Sequence, residues 1–529
     1  MTFFQSNRKP ICHEDVFRYT NGHFLIDEKF QYTSRYVKFN LDGLCDIAAS
    51  VGSSKSPIRA IEKLEGGFSK ALLMRREDGT ELVAKIPCPN AGPALYTTAS
   101  EVAVMQYVQT QTTVPVPKIL AWSSDASNPV GTEYILMEKA PGIQLFRVWD
   151  RMDDSKKLTL IHNLTRLESQ LVSLRFPASG NLYLRHSIPD KVKRKTLNSY
   201  IDPNLYCIGP SCDRSWLLEP SIETANLDLD KGPWSSLSAY GVALAKREIS
   251  RIVRTPKQDP RPIPRGATSE QIFLLETTIN LMKVLEAHPP LARSAQPMLW
   301  HTDLHMGNIF VSDEDPSQIL SFIDWQSTSV LPMFLQVRWP VFLKPPKNYP
   351  TGFIKPKLPD DFDRLSFEDK EPAVYEWKQA TRAKAYEVSS RINNEDSFHA
   401  MNLPRVFQEI FVRCGGTWEE GIVPLRACLI EIFQTWQELS LPGDCPFTFP
   451  DDEIRMHELE LEKYREWHDV QEFAREYLDT DAEGWISPEI DFGKKREQNR
   501  ALFELFLDKM AGGKPREVMR RLWPFSEDL

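Results

Sequence analysis

The stretch from residue 299 to residue 325 constrains this chain more than any other part of it. Two short apolar runs, residues 308–311 and 319–323, flank the acidic turn 312–316 and predict a β-hairpin. The loop leading into it reads His301-Thr302-Asp303-Leu304-His305-Met306-Gly307-Asn308, and its far end reads Ile323-Asp324-Trp325. Phosphoryl transfer needs one carboxylate beside the attacking hydroxyl, and a second carboxylate with an amide oxygen to hold Mg2+ against nucleotide phosphates. Asp303, Asn308 and Asp324 are those residue types in that order. The step from Asp303 to Asn308 lets one loop present a base at its start and a metal ligand at its end, with Asp324 returning opposite. Asp and Asn are common in turns, so the hairpin context carries the expectation more than the motif does. The same residues admit a second chemistry: His301, Asp303 and His305 suit Zn2+ in a metal hydrolase. No second histidine-rich cluster supplies further ligands, and His301 is expected to brace the loop by hydrogen bonding.

A nucleotide site of this kind also needs a cation on the phosphates and a carboxylate to hold that cation. β-type runs at 71–75 and 82–86 flank Glu77-Asp78-Gly79-Thr80, a hairpin signal that leaves Lys85 in mid-strand. Residues 97–108 carry Val102, Met105 and Val108 at helical spacing, with Glu101 on the same helix, and strands are predicted at 117–122 and 133–137. Gly66-Gly67-Phe68-Ser69 precedes the first run, where glycine lets backbone N–H groups approach phosphate. It matches neither GxGxxG nor GxxxxGK[ST], and a plain hairpin turn fits it equally well. Glu138 closes the last strand and leads through Pro141 and Gly142 into a connector, readable as an adenine-contacting hinge or as an ordinary linker.

The order of elements predicts an α+β chain in two lobes, a small β-rich one and a larger, mainly helical one. Its expected parts are an N-terminal extension over 1–58, a small β-rich nucleotide lobe over 59–142, a mainly helical catalytic lobe over 143–345, and a helical C-terminal region over 346–529. The third part holds a Pro-rich insertion at 177–266, between a helix capped at Asp153, Asp154 or Ser155 and one over 269–287 capped by Thr268 or Ser269. A length of 529 residues accommodates more than one lobe. A net charge of −9 argues against nucleic acid as a partner. Eight scattered cysteines point to a reducing compartment, and no apolar run is long enough for a transmembrane helix. Two acidic clusters, one of Asp360, Asp361 and Asp363 and one of Asp451, Asp452 and Glu453, read as solvated faces.

With these residues assembled, the chain resembles the aminoglycoside phosphotransferase and choline kinase branch of the protein-kinase-like fold, over roughly residues 60–345. More narrowly it is similar to the fungal altered inheritance of mitochondria protein 9 group. The shared stretches are Phe17-Arg18-Tyr19-Thr20-Asn21-Gly22, Gly66-Gly67-Phe68, Tyr96-Thr97-Thr98-Ala99-Ser100-Glu101, Gly232-Pro233-Trp234 and Ile323-Asp324-Trp325-Gln326. The resemblance implies Asp303 as catalytic base, Asn308 and Asp324 as Mg2+ ligands, Lys85 as phosphate clamp and Glu101 as its partner. It also implies ATP and Mg2+ as cofactors, and a mitochondrial association, with the cytoplasm as the alternative. Gln326 stands two residues past Asp324, where eukaryotic protein kinases have glycine, and no Ala-Pro-Glu segment follows. A small hydroxylated acceptor is therefore favoured over a protein. The alternative from another class is a kinase-like nucleotide-binding or regulatory protein without catalysis.

Overall fold

The computed structural model describes residues 3–6, 9–197, 205–216, 229–254, 265–347, 349–350, 352–510 and 515–526. Seven strands of the first lobe form one sheet, in the order Lys9–Pro10, Phe3–Ser6, Ile58–Glu65, Ser69–Arg76, Glu81–Pro87, Tyr134–Glu138, Ile119–Ser123. Strand alternation decides where Lys85 goes. Leu82, Ala84 and Ile86 point to one face, where they pack with Ile61, Leu72, Met74 and the helix Leu41–Ser50. Val83 and Lys85 point to the other, toward the helix Tyr96–Gln111. The predicted 77–80 turn joins Ser69–Arg76 to Glu81–Pro87, with Ala71 opposite Lys85.

Two expectations change at this level. The extension over 1–58 is not merely appended to the sheet: it supplies two strands at one end, with Phe3–Ser6 parallel to Ile58–Glu65, and the helix that covers one face. The stretch 177–266 is more than a Pro-rich insertion. Its described residues form a three-stranded sheet of Asn181–Leu184, Tyr206–Gly209 and Lys195–Thr196, and the helix Leu237–Arg254. Leu237, Leu244 and Ile252 of that helix share a core with Leu274, Leu281 and Met282 of the helix Thr268–Ala287. Arg247 and Glu248 interrupt its apolar stripe in the sequence, yet both are buried, joined by an ion pair of 2.9 Å.

The helix Asp154–Ser173 starts as expected, with Asp153 accepting the Lys156 N–H, and buries Leu160, Leu164 and Leu171. The helix Thr268–Ala287 instead begins after Ala267, which offers no side-chain cap. Helices Arg405–Gly415 and Val423–Gln434 of the C-terminal region enter the same core through Phe407, Phe411, Leu425 and Leu429. Asp360, Asp361 and Asp363 are exposed. Asp451, Asp452 and Glu453 are exposed in the first turn of Asp451–Leu478, where the helix dipole favours acids. All eight cysteines are free. Among the described residues no helix is long and apolar enough to cross a membrane.

Candidate active site

Lys85, Glu101 and Asp324, far apart in sequence, meet between the lobes. The Lys85 Nζ donates to Glu101 Oε1 and to Asp324 Oδ1, each at 2.6 Å. Burial by itself penalises the Lys85 ammonium, but Asp324 and Glu101 more than offset it and the lysine's pKa rises. Burial holds Glu101 above the usual carboxylate range despite Lys85. For Asp324 the balance reverses: burial works against the charge, but Lys85 brings the pKa down. The Glu101 helix is buried without a break from Thr97 to Met105, between the first sheet and the strand Asn181–Leu184.

The loop of residues 301–308 is tied at both ends. His301 is buried, and its Nε2 lies 2.9 Å from the Ile323 carbonyl oxygen while its ring packs edge-on against Trp325. Asn308 donates its Nδ2–H to the Asp303 carbonyl at 2.9 Å, and its own carbonyl accepts the Ile323 N–H. Asp303 is exposed at the start of the loop. Asp324 and Ser327 take φ of 62° and 60°, left-handed conformations that are unfavourable away from glycine. Between them Trp325 is fully buried, with its Nε1–H on the Phe322 carbonyl at 3.1 Å, which holds the turn in that form. The metal-hydrolase reading finds no support: His301 Nε2 faces the Ile323 carbonyl, His305 Nδ1 accepts the Gly307 N–H, and no metal-holding cluster of three or more His, Cys, Asp or Glu occurs among the described residues.

Gly66 and Gly67 form the turn between Ile58–Glu65 and Ser69–Arg76, closed by the Gly66 N–H on the Ser69 carbonyl at 3.1 Å. Neither needs a positive φ, and a Cβ on Gly67 would meet nothing within 4 Å. Phe68 lies beneath the Arg214 guanidinium, 3.9 Å from its ring centroid. Glu138 ends its strand opposite Leu82 with an exposed side chain, and its N–H donates to the Lys118 carbonyl. Two further residues belong to the site without having been expected from the sequence. Arg338 donates to the Thr302 carbonyl, and its charge faces Asp303. Asn181, fully buried, donates to Ser100 Oγ and to the Thr328 carbonyl, and so ties the Glu101 helix to the segment after Trp325. Neither carries a local signal, because each acts through contacts distant in sequence.

The sequence profile of the phosphotransferase enzyme family matches residues 60–334. This chain belongs to that family. Among relatives of this chain, a subtelomeric hrmA-associated cluster protein of Aspergillus fumigatus is 30% identical over 504 residues, covering 88% of this chain and 96% of the relative. The altered inheritance of mitochondria protein 9, mitochondrial, of Lachancea thermotolerans is 24% identical, over 81% of this chain and 72% of its own length. Among solved structures, the streptomycin–ATP complex of the phosphotransferase APH(2")-IIa is 12% identical and covers 73% of this chain and 94% of its own, with a TM-score of 0.32.

Proposed function

We propose that this phosphotransferase moves the γ-phosphate of ATP to a hydroxyl of a small-molecule acceptor, with Mg2+ as cofactor. The observation that carries the reading is the junction of Lys85 with both Glu101 and Asp324 at 2.6 Å, beside the loop that bears Asp303 and Asn308. Asp303, exposed at the loop's start, accepts the acceptor's hydroxyl proton. Lys85, kept charged by its two carboxylates, contacts the phosphates, and Glu101 holds it in place. The open turn at Gly66 and Gly67 lets backbone approach the phosphates, with Phe68 and Ser69 at its edge, while Glu138 lies at the adenine end. Asn308 and Asp324 fit a magnesium ion: both offer hard oxygen ligands, and the bond from Asn308 Nδ2 to the Asp303 carbonyl fixes which way the amide oxygen faces. Bound there, Mg2+ would neutralise charge on the phosphate oxygens.

The mitochondrial name of the Lachancea relative supports a mitochondrial association here. The decisive experiment is Asp303→Asn, assayed for ATP consumption across a panel of hydroxylated metabolites. Nucleotide binding is expected to persist while turnover falls roughly 100- to 10,000-fold. Unaltered turnover would remove Asp303 from the chemistry. Mg2+-dependent nucleotide binding by the unmodified protein, with no consumption on any acceptor, would favour the non-catalytic alternative.

A further inference from the structure

Beneath the glycine turn lies a charged cluster that the proposed reaction does not use. Lys63 and Lys70 are 1% and 0% exposed, and both pair with Glu65, at 2.9 and 2.6 Å. Two ammonium groups on one carboxylate need further acceptors, and a segment from the far side of residue 58 supplies them. Lys63 Nζ donates to the Asp15 carbonyl at 2.8 Å, to the Arg18 carbonyl and to Thr20 Oγ1 at 3.0 Å, and Lys70 Nζ donates to the Arg18 carbonyl at 3.1 Å. Glu65 accepts the Thr20 N–H at 2.7 Å, and Asn21 Nδ2 donates to the Glu65 carbonyl at 2.8 Å, one residue before Gly66.

The same segment is held from the other end of the chain. Trp485 shares its Nε1–H between the Asn21 carbonyl at 2.8 Å and Tyr19 Oη at 2.9 Å. Trp485–Ile486 pairs antiparallel with His23–Phe24, and Arg35 forms an ion pair with Glu483. Gly22 permits this approach: at φ 129° a Cβ there would stand 2.4 Å from the Ile486 carbonyl oxygen. The helix Asp451–Leu478 leads into this contact, its first half packed in the helical core through Tyr464 and its last turn, at Leu478, packed with Leu25.

We propose that Glu65, with Lys63 and Lys70, is a positioning residue for the glycine turn, and that the segment 15–22 and Trp485 make the C-terminal region part of the nucleotide site. This rests on the reading of that turn as the phosphate-binding loop. A loop fixed at its root binds phosphate without first being ordered, so loosening the clamp weakens affinity for the phosphates and spares the nucleoside.

The test uses the full chain and its Trp485→Phe and Asn21→Ala variants. Binding of a magnesium-bound non-hydrolysable ATP analogue and of adenosine is measured by calorimetry, and hydrogen exchange is followed over residues 64–70 without ligand. The proposal expects roughly three- to tenfold weaker binding of the analogue, unchanged adenosine binding and faster exchange in residues 64–70. Unchanged exchange there in both variants would overturn it, as would equal weakening of analogue and adenosine. Should the unmodified protein bind no analogue, the nucleotide reading fails by itself, while the exchange measurement still decides whether the clamp holds the turn.

Discussion

Replacing Lys85 by methionine keeps most of the side chain's bulk and removes the charge between Glu101 and Asp324. The Asp324 side chain is 40% exposed, so water takes over part of its solvation, whereas Glu101 is 4% exposed and loses its cation. A buried carboxylate without a partner escapes by taking up a proton. From the usual 4.5, that uptake costs about 1.4 kcal/mol per pH unit, so roughly 3.4 kcal/mol at pH 7 and roughly 1.4 kcal/mol at pH 5.5. Because burial already holds Glu101 above 4.5 in the wild type, part of that cost is present before the change, and Lys85→Met is predicted to destabilise the fold by up to about 3 kcal/mol at pH 7 and to recover up to about 2 kcal/mol of that at pH 5.5. The sign follows from proton counting: the folded variant binds one proton more than the unfolded chain above pH 4.5, so its stability falls as pH rises there. Adding Glu101→Gln removes the group that must be protonated, so the double variant loses this pH dependence, and the two sites couple by up to about 3 kcal/mol. Urea denaturation of the four proteins at both pH values measures every quantity. Losses that add, or a Lys85→Met loss equal at pH 5.5 and pH 7, would refute the reasoning.

Two further outcomes follow from the same geometry. Burial pushes Glu168 up to about 8, so the fold keeps a proton that the unfolded chain sheds near 4.5, and this carboxyl costs stability as pH rises between those values. Glu168→Gln, which can still accept the Tyr386 hydroxyl, is predicted to gain on wild type by a few kcal/mol at pH 8 relative to pH 4.5, read from melting temperatures. Gly67→Ala meets no neighbour within 4 Å and should change stability by less than about 0.5 kcal/mol. It should nevertheless weaken binding of magnesium-bound ATP; unchanged affinity would mean that the turn does not approach the phosphates.

Much of the candidate site is legible because several of its residues stand at fixed steps on one loop or one strand. Asp303 and Asn308 share one loop, and the strand that carries Lys85 alternates, so its face follows from Leu82, Ala84 and Ile86 packing on the other side. Contacts between remote segments leave no such periodicity. Arg338 follows a buried apolar turn and reads as an ordinary surface arginine until Thr302 is found beside it. Trp485 lies 464 residues from Asn21, and nothing local to either announces the other. The helix Leu237–Arg254 is obscured differently: Arg247 and Glu248 look like a solvent face, and their mutual pairing, with the Ser215 hydroxyl, the Gly415 carbonyl and the Trp418 N–H as further partners, makes their burial tolerable.

The chain's net charge of −9 does not argue against the proposed triphosphate, because the acids beside Lys85, the glycine turn and the 301–308 loop divide into two kinds. Glu65 and Glu101 are buried, the first against Lys63 and Lys70 and the second against Lys85, so their charge is neutralised inside the fold. Asp303 and Asp324 are the more exposed pair, one with Arg338 facing it and the other with Lys85 on a single oxygen. Those two are the carboxylates that the proposed chemistry requires to be reachable, as proton acceptor and as metal ligand. A uniformly acidic cleft would repel ATP. A cleft whose buried acids are matched by lysines would present to a nucleotide mainly the charges that the proposed chemistry uses, and overall composition then says little about what such a site accepts.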